Sequence, residues 1–188
     1  MTHRRVATIA VAGLLGVGAW IGGRAVAGDA GRVGIGTAAP DFRATVIGSP
    51  DTYKTIADYR DEVLVINLWA TWCVPCVTEM PSIQRLYERY RDEGVKVVGI
   101  AVDDPPFAGR VAEFVRERGL TFEILHEGSG KVELDYRARG IPATYIIGRD
   151  GRIRVLRQGA SDWDSPASRA VVEQLLKSPR RASPATAP

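Results

Sequence analysis

The feature that most constrains this chain is Trp72-Cys73-Val74-Pro75-Cys76, which holds the only two cysteines in 188 residues. It follows an apolar run, Val63 to Trp69 (VLVINLW), that reads as a strand covered on both faces. From Pro75 and Cys76 to about Glu93 the pattern turns helical: Met80, Ile83, Leu86, Tyr87 and Tyr90 share one face, and Gly94 suits the stop. The cysteines therefore fall where a buried strand ends and a helix begins. Unpaired N–H groups and the positive end of the helix dipole favour a thiolate on Cys73 there. The dipole contributes ~0.3–1 kcal/mol, rising to about 2 when partly buried, which acidifies a thiol by about one pKa unit. Thiols in such sites titrate at roughly 3.5–7.5. Cys76, one turn later, can close a short disulfide and resolve a mixed disulfide with a substrate. On this reading Cys73 is the exposed, attacking thiol and Cys76 the shielded one.

Rival chemistries fit these residues less well. A zinc site needs about four ligands, yet with His3 in a separate N-terminal segment only Cys73, Cys76 and His126 remain. Covalent haem attachment requires His directly after the second cysteine, where Val77 stands. A purely structural disulfide over so short a ring would constrain little chain. His126 itself reads as a surface residue at a strand end. No metal and no cofactor are expected.

The N-terminus carries a different message. His3-Arg4-Arg5 precede an uncharged, mostly apolar run from Val6 to Gly23, and Arg24 follows. As a helix this run extends roughly 27 Å, slightly short of a ~30 Å hydrocarbon layer, and it is longer than an ordinary signal-peptide core. Ala25-Val26-Ala27 matches a small-x-small cleavage pattern. Residues 1–27 are thus a signal anchor or a signal peptide; the length favours an uncleaved anchor that tethers the protein to the membrane. Both place the following domain outside the cytoplasmic membrane, since basic residues stay inside. The three arginines of this segment also account for the formal charge of +3: the remainder holds 22 basic and 22 acidic residues. A neutral domain lacks the electrostatic footprint for nucleic acid.

Residues 28–37 read as a glycine-rich tether, 38–177 as the working domain, and 178–188 as a tail too polar to fold. Within the domain, Asp41 to Ile47 and Thr52 to Thr55 are expected as short edge strands, and Val95 to Ala101 as another buried one. Phe107 to Arg118 is amphipathic, Thr121 to Leu125 a strand, and Lys131 to Tyr136 a short helix. Thr144 to Ile147 and Ile153 to Arg157 flank Asp150-Gly151 as a hairpin, and Ser165-Pro166 caps a last helix to Lys177. The alternation predicts an α/β fold, a mixed central sheet flanked by helices.

Asn67-Leu68-Trp69-Ala70-Thr71-Trp72-Cys73-Val74-Pro75-Cys76, Glu79-Met80-Pro81 and Gly140-Ile141-Pro142-Ala143-Thr144 closely resemble the TlpA/ResA-like branch of the thioredoxin superfamily. The resemblance runs from about Gly34 to Lys177, and the stretch holding the Phe107 helix and the Phe122 strand is similar to that branch's αβ insertion. It implies a thioredoxin-like fold and a redox-active Cys73–Cys76 disulfide. It further implies a cis Pro142 beside the pair, a substrate strand pairing with Ile141, contact from Trp72, and a kink at Pro81. Thioredoxins usually carry an acid six positions before the first cysteine, where this chain has Asn67. Glu79 matches a glutamate of the ResA-like proteins that lies near the thiols. If buried it would move protons at the cysteines; otherwise it is a solvated helix residue. The implied partners are exported protein thiols and disulfides, apocytochrome c among them, and a membrane electron donor of CcdA or DsbD type. Peroxiredoxins carry Pro-x-x-x-Thr-x-x-Cys, and Ile66 occupies that proline's place.

Overall fold

The computed structural model describes residues 33–179. The expectations for residues 1–27, and for nearly all of the tail, lie outside the described residues. In chain order the elements are β1 (Ala44–Val46), β2 (Ser49–Lys54), β3 (Val63–Trp69), α1 (Val74–Tyr90), β4 (Val95–Ala101) and α2 (Ala108–Glu117). There follow β5 (Glu123–His126), α3 (Lys131–Asp135), β6 (Ala143–Ile147), β7 (Ile153–Gln158) and α4 (Pro166–Leu176). They build one seven-stranded mixed sheet in the order β2-β1-β5-β4-β3-β6-β7. Strands β3, β4 and β5 run parallel, and the pairings of β1, β2, β6 and β7 are antiparallel. This is a thioredoxin-like α/β fold.

The apolar run at β3 explains its central place, because all seven residues are buried. Its two-residue period divides the core. Val63, Val65 and Trp69 pack with Met80, Ile83 and Leu86 of α1, Val111 of α2 and Val172 of α4. Leu64, Ile66 and Leu68 pack on the other face with Val132, Tyr136 and Tyr145. Asn67 shares the parity of Val65 and Trp69, so its side chain belongs to the α1 face. The parallel strands β3, β4 and β5 all end at one edge of the sheet, and the Cys-x-x-Cys turn grows from the end of β3, as ligand sites do in open α/β sheets.

Several boundaries move. Strand β1 is only three residues and β2 starts earlier than expected, because Gly48, at φ +82°, turns the chain tightly between them. The Asp150-Gly151 connection is a five-residue loop rather than a tight hairpin, since β6 ends at Ile147 and β7 begins at Ile153. Phe107 lies outside α2, in a short 3-10 turn made by Pro105-Pro106, and packs against Arg110. Phe122 precedes β5 but is buried. Part of the expected tether is also held: Gly36 N–H donates to the Ile153 carbonyl at 2.8 Å, and Ile153 N–H to the Thr37 carbonyl at 2.9 Å. The edge of the β7 hairpin leaves backbone groups that these residues satisfy.

Candidate active site

Cys73 is the N-cap of α1, with Val74 and Pro75 opening the helix. Pro75 costs nothing here, because an N–H at this position has no partner within the helix. Cys73 and Cys76 are joined in a disulfide, with Cα atoms 5.2 Å apart. The Cys76 N–H donates to Cys73 Sγ at 3.3 Å, and the first turn of α1 has no acidic residue to oppose a thiolate. The expectation of an exposed Cys73 is corrected. It is 5% exposed and Cys76 0%, while the flanking Trp72 and Val74 reach 68% and 75%. Its N–H donates to the Ala70 carbonyl, which tucks the sulfur against the core and turns its neighbours outward. The order of accessibility survives, and the exposed Trp72 and Val74 form an apolar rim beside the disulfide.

Glu79, one turn beyond Cys76, is 3% exposed, so it is not a solvated helix residue. Its Oε1 accepts from Asn67 Nδ2 at 2.8 Å, and its Oε2 accepts from Ser161 N–H at 3.0 Å and Trp163 Nε1–H at 3.1 Å. Burial pushes its pKa above the ordinary carboxylate value, against the pull of the three donors. Asn67 Nδ2 also donates to Thr144 Oγ1 at 2.9 Å. Thr144 stands opposite Asn67 in the β3–β6 register, so one amide joins the active-site helix to the strand that follows Pro142. Asn67 cannot replace the missing acid, but it positions the acid that is present. The helix runs through Pro81, and the Ser82 hydroxyl bonds the Glu79 carbonyl and accepts from Trp163 N–H.

The Ile141–Pro142 peptide is cis. Ile141 is partly buried against the core cluster that includes both cysteines, and the Pro142 carbonyl accepts from Gly159 N–H. His126 departs from the surface residue expected: it is half-buried, with Nε2 2.7 Å from the Asp103 carbonyl oxygen. A side chain on Gly128 would place Cβ 2.4 Å from that same oxygen and 3.0 Å from Pro105 Cδ. Gly128→Ala is therefore expected to destabilise the fold by about 1–3 kcal/mol, as overpacking does. A denaturation midpoint matching the unsubstituted protein would refute this. Among the described residues no group of three His, Cys, Asp or Glu side chains could hold a metal ion.

A family model described as the AhpC/TSA family matches residues 35–156. A thiol-disulfide oxidoreductase ResA from Oceanobacillus iheyensis is 36% identical over 132 residues, 69% of this chain and 68% of that protein. The chain is a ResA-like thiol–disulfide oxidoreductase of the AhpC/TSA family. Two solved structures share its fold. One, assigned as a thiol:disulfide interchange protein DsbE from Chlorobium tepidum, has a TM-score of 0.70 at 23% identity, covering 77% of this chain and 99% of that one. The other, a secreted thiol-disulfide isomerase from Corynebacterium glutamicum, has a TM-score of 0.65 at 20% identity, covering 74% and 86%.

In this ResA-like enzyme the family match includes Cys73, Cys76, Glu79 and Pro142 but ends before Ser161 and Trp163. Those two donors to Glu79 were missed in the sequence, as were Thr144 and Ser82. Trp163 left one trace, a large aromatic among Ser161, Asp162 and Asp164. An aromatic side chain in so polar a loop is a candidate anchor. A backbone N–H such as that of Ser161 leaves no trace at all.

Proposed function

We propose that this enzyme reduces disulfides in exported proteins, with Glu79 moving the proton that each exchange requires. The carrying observation is the Glu79 carboxylate, buried one helical turn from Cys76 and held by three donors. The Cys73 thiolate attacks one sulfur of a client disulfide. A Cys73–client bond forms, the client S–S bond breaks, and the released client sulfur takes a proton. Glu79 accepts the Cys76 proton, directly or through a water. The Cys76 thiolate then attacks Cys73 Sγ, closing the Cys73–Cys76 disulfide and freeing the second client thiol. The client gains two electrons and the enzyme loses two, which a dithiol donor restores.

Trp72 and Val74 form the rim a client would meet, and Ile141 beside cis Pro142 offers backbone for an extended client segment. A location outside the cytoplasmic membrane rests on the basic and apolar pattern of residues 1–27. Among the described residues no helix is long and apolar enough to cross a membrane. Apocytochrome c as client, and a membrane donor of CcdA or DsbD type, extend the same reading through the family resemblance. A peroxidase reading is weaker: the positions of the peroxiredoxin proline and threonine hold Ile66 and Ala70, both buried.

The test is a trap. Cys76→Ala removes the resolving thiol, so Cys73 is expected to accumulate as a mixed disulfide with exported proteins. Reduction should release these clients, and the Cys73→Ala/Cys76→Ala double variant should hold none. Equal capture by the double variant, or no capture by Cys76→Ala, overturns the reading.

A further inference from the structure

The loop between β3 and Cys73 is held by a carboxylate the mechanism above does not use. Asp103, just beyond the end of β4, is 0% exposed. Its two oxygens lie 3.2 and 3.1 Å from Thr71 N–H, and the Thr71 hydroxyl donates to Oδ1. Thr71 is separated from Cys73 by Trp72 alone. The backbone around Asp103 is pinned as well: Val102 N–H donates to the Trp69 carbonyl at 2.8 Å, and the Asp103 carbonyl oxygen meets His126 Nε2. The ends of β3, β4 and β5 thus meet around Asp103, whose buried side chain bonds Thr71 beside the redox turn.

We propose that Asp103 is a positioning residue for the redox pair, its carboxylate setting the Thr71–Trp72 turn and opposing negative charge on Cys73. A buried carboxylate is costly to retain as a simple loop clasp, because a neutral acceptor could satisfy Thr71. Its charge distinguishes it. It acts against the helix N-terminus, which favours the thiolate, so the two together hold Cys73 between full activation and inertness. His126 reaches Asp103 through the backbone oxygen, Asp104 follows it in the chain, and Glu127 turns its carboxylate to Ser129 and to Val132 N–H. Glu79 faces Asn67, Ser161 and Trp163 instead.

This inference rests on Cys73 being the attacking thiol, and the test separates the two. Alkylation of the reduced full chain is followed across pH 5 to 9, with the equilibrium against glutathione measured alongside. An unsubstituted protein whose Cys73 titrates no lower than a free cysteine, about 8.5, and exchanges no disulfide would sink the parent reading itself. With that control sound, Asp103→Asn is expected to move the Cys73 titration down by about one unit, tenfold in thiolate at a given lower pH. Above that titration the glutathione equilibrium should shift about tenfold toward the dithiol, about 30 mV more oxidising. Thr71→Val keeps the charge and should alter thermal unfolding more than the titration, and His126→Gln controls for the imidazole. If Asp103→Asn does not fold, Asp103→Ser, which keeps an oxygen near Thr71 N–H, reads the same shift. A folded variant with a superimposable titration and potential, or failure of both variants to fold, makes Asp103 purely structural and overturns the proposal.

Discussion

Glu79→Gln is expected to leave the fold intact and to slow disulfide exchange by roughly 10²-fold, the size of a lost general acid–base group. The fold should persist because the pocket can accept an amide. The Gln oxygen can take the place of Oε2, accepting from Ser161 N–H and Trp163 Nε1–H. Its NH2 then faces Asn67, whose Oδ1 is buried without a partner. Rotation of the Asn67 amide brings that oxygen to the new donor, and the Thr144 hydroxyl can reorient to follow. Chemistry has no such alternative, since Gln neither takes the Cys76 proton nor returns one. The pH dependence of stability has a definite sign. Burial raises the folded pKa of Glu79 above its unfolded value near 4.5, so the folded state keeps its proton to higher pH. The stability this contributes is complete below the unfolded value and is lost as pH rises through the folded one. The unsubstituted protein should therefore lose stability across that window relative to Glu79→Gln. Exchange and alkylation rates from pH 5 to 9, with unfolding at the same pH values, check both parts. Superimposable rate profiles would remove Glu79 from proton transfer.

How much of this site was legible in the sequence depends on whether a residue acts through periodicity or through position. The β3 run and the α1 face were legible because burial on both sides, or along one stripe, imposes a repeating pattern. The redox pair was legible because a thiol pair at a strand-to-helix junction has few other uses. Glu79 was visible as a candidate but not as buried. Its burial comes from Ser161 and Trp163, about eighty residues away, and no local pattern carries that contact. Asn67 shows the same limit from the other side. Taken alone it marks a missing acid, and only the β3–β6 register reveals an amide tying Glu79 to Thr144. In the sequence Asp103 is one of two adjacent acids before two prolines, and no motif singles it out. Its role follows from three strands ending together, a property of the sheet order rather than of any segment. The shifts at β1, Phe107 and the β6–β7 loop are smaller. Each reflects a glycine or proline turn whose geometry overrides the apolar pattern around it.

The largest stability effect is expected at Trp163, where replacement by Ala should cost about 3–5 kcal/mol. The ring is 3% exposed and belongs to the core cluster that includes Met80, Ile83 and both cysteines. Truncation leaves a cavity that the backbone can close only partly. The Trp163 N–H bond to Ser82 Oγ and the neighbouring Ser161 N–H bond to Glu79 hold the loop in place. A second variant separates packing from electrostatics. Trp163→Phe keeps most of the apolar volume but removes the Nε1–H donor to Glu79 Oε2. Loss of one donor to a buried carboxylate should cost about 1–3 kcal/mol, less than the cavity. That bond holds the Glu79 pKa down against burial, so its loss should raise the pKa further. The pH at which exchange depends on Glu79 should then move upward in Trp163→Phe. Denaturant unfolding of the oxidised protein measures the two stability losses, and exchange rates across pH read the shift. An Ala variant no less stable than the Phe variant would show that Trp163 is not the anchor of this loop. An unshifted profile in a folded Trp163→Phe protein would show that its N–H does not tune Glu79.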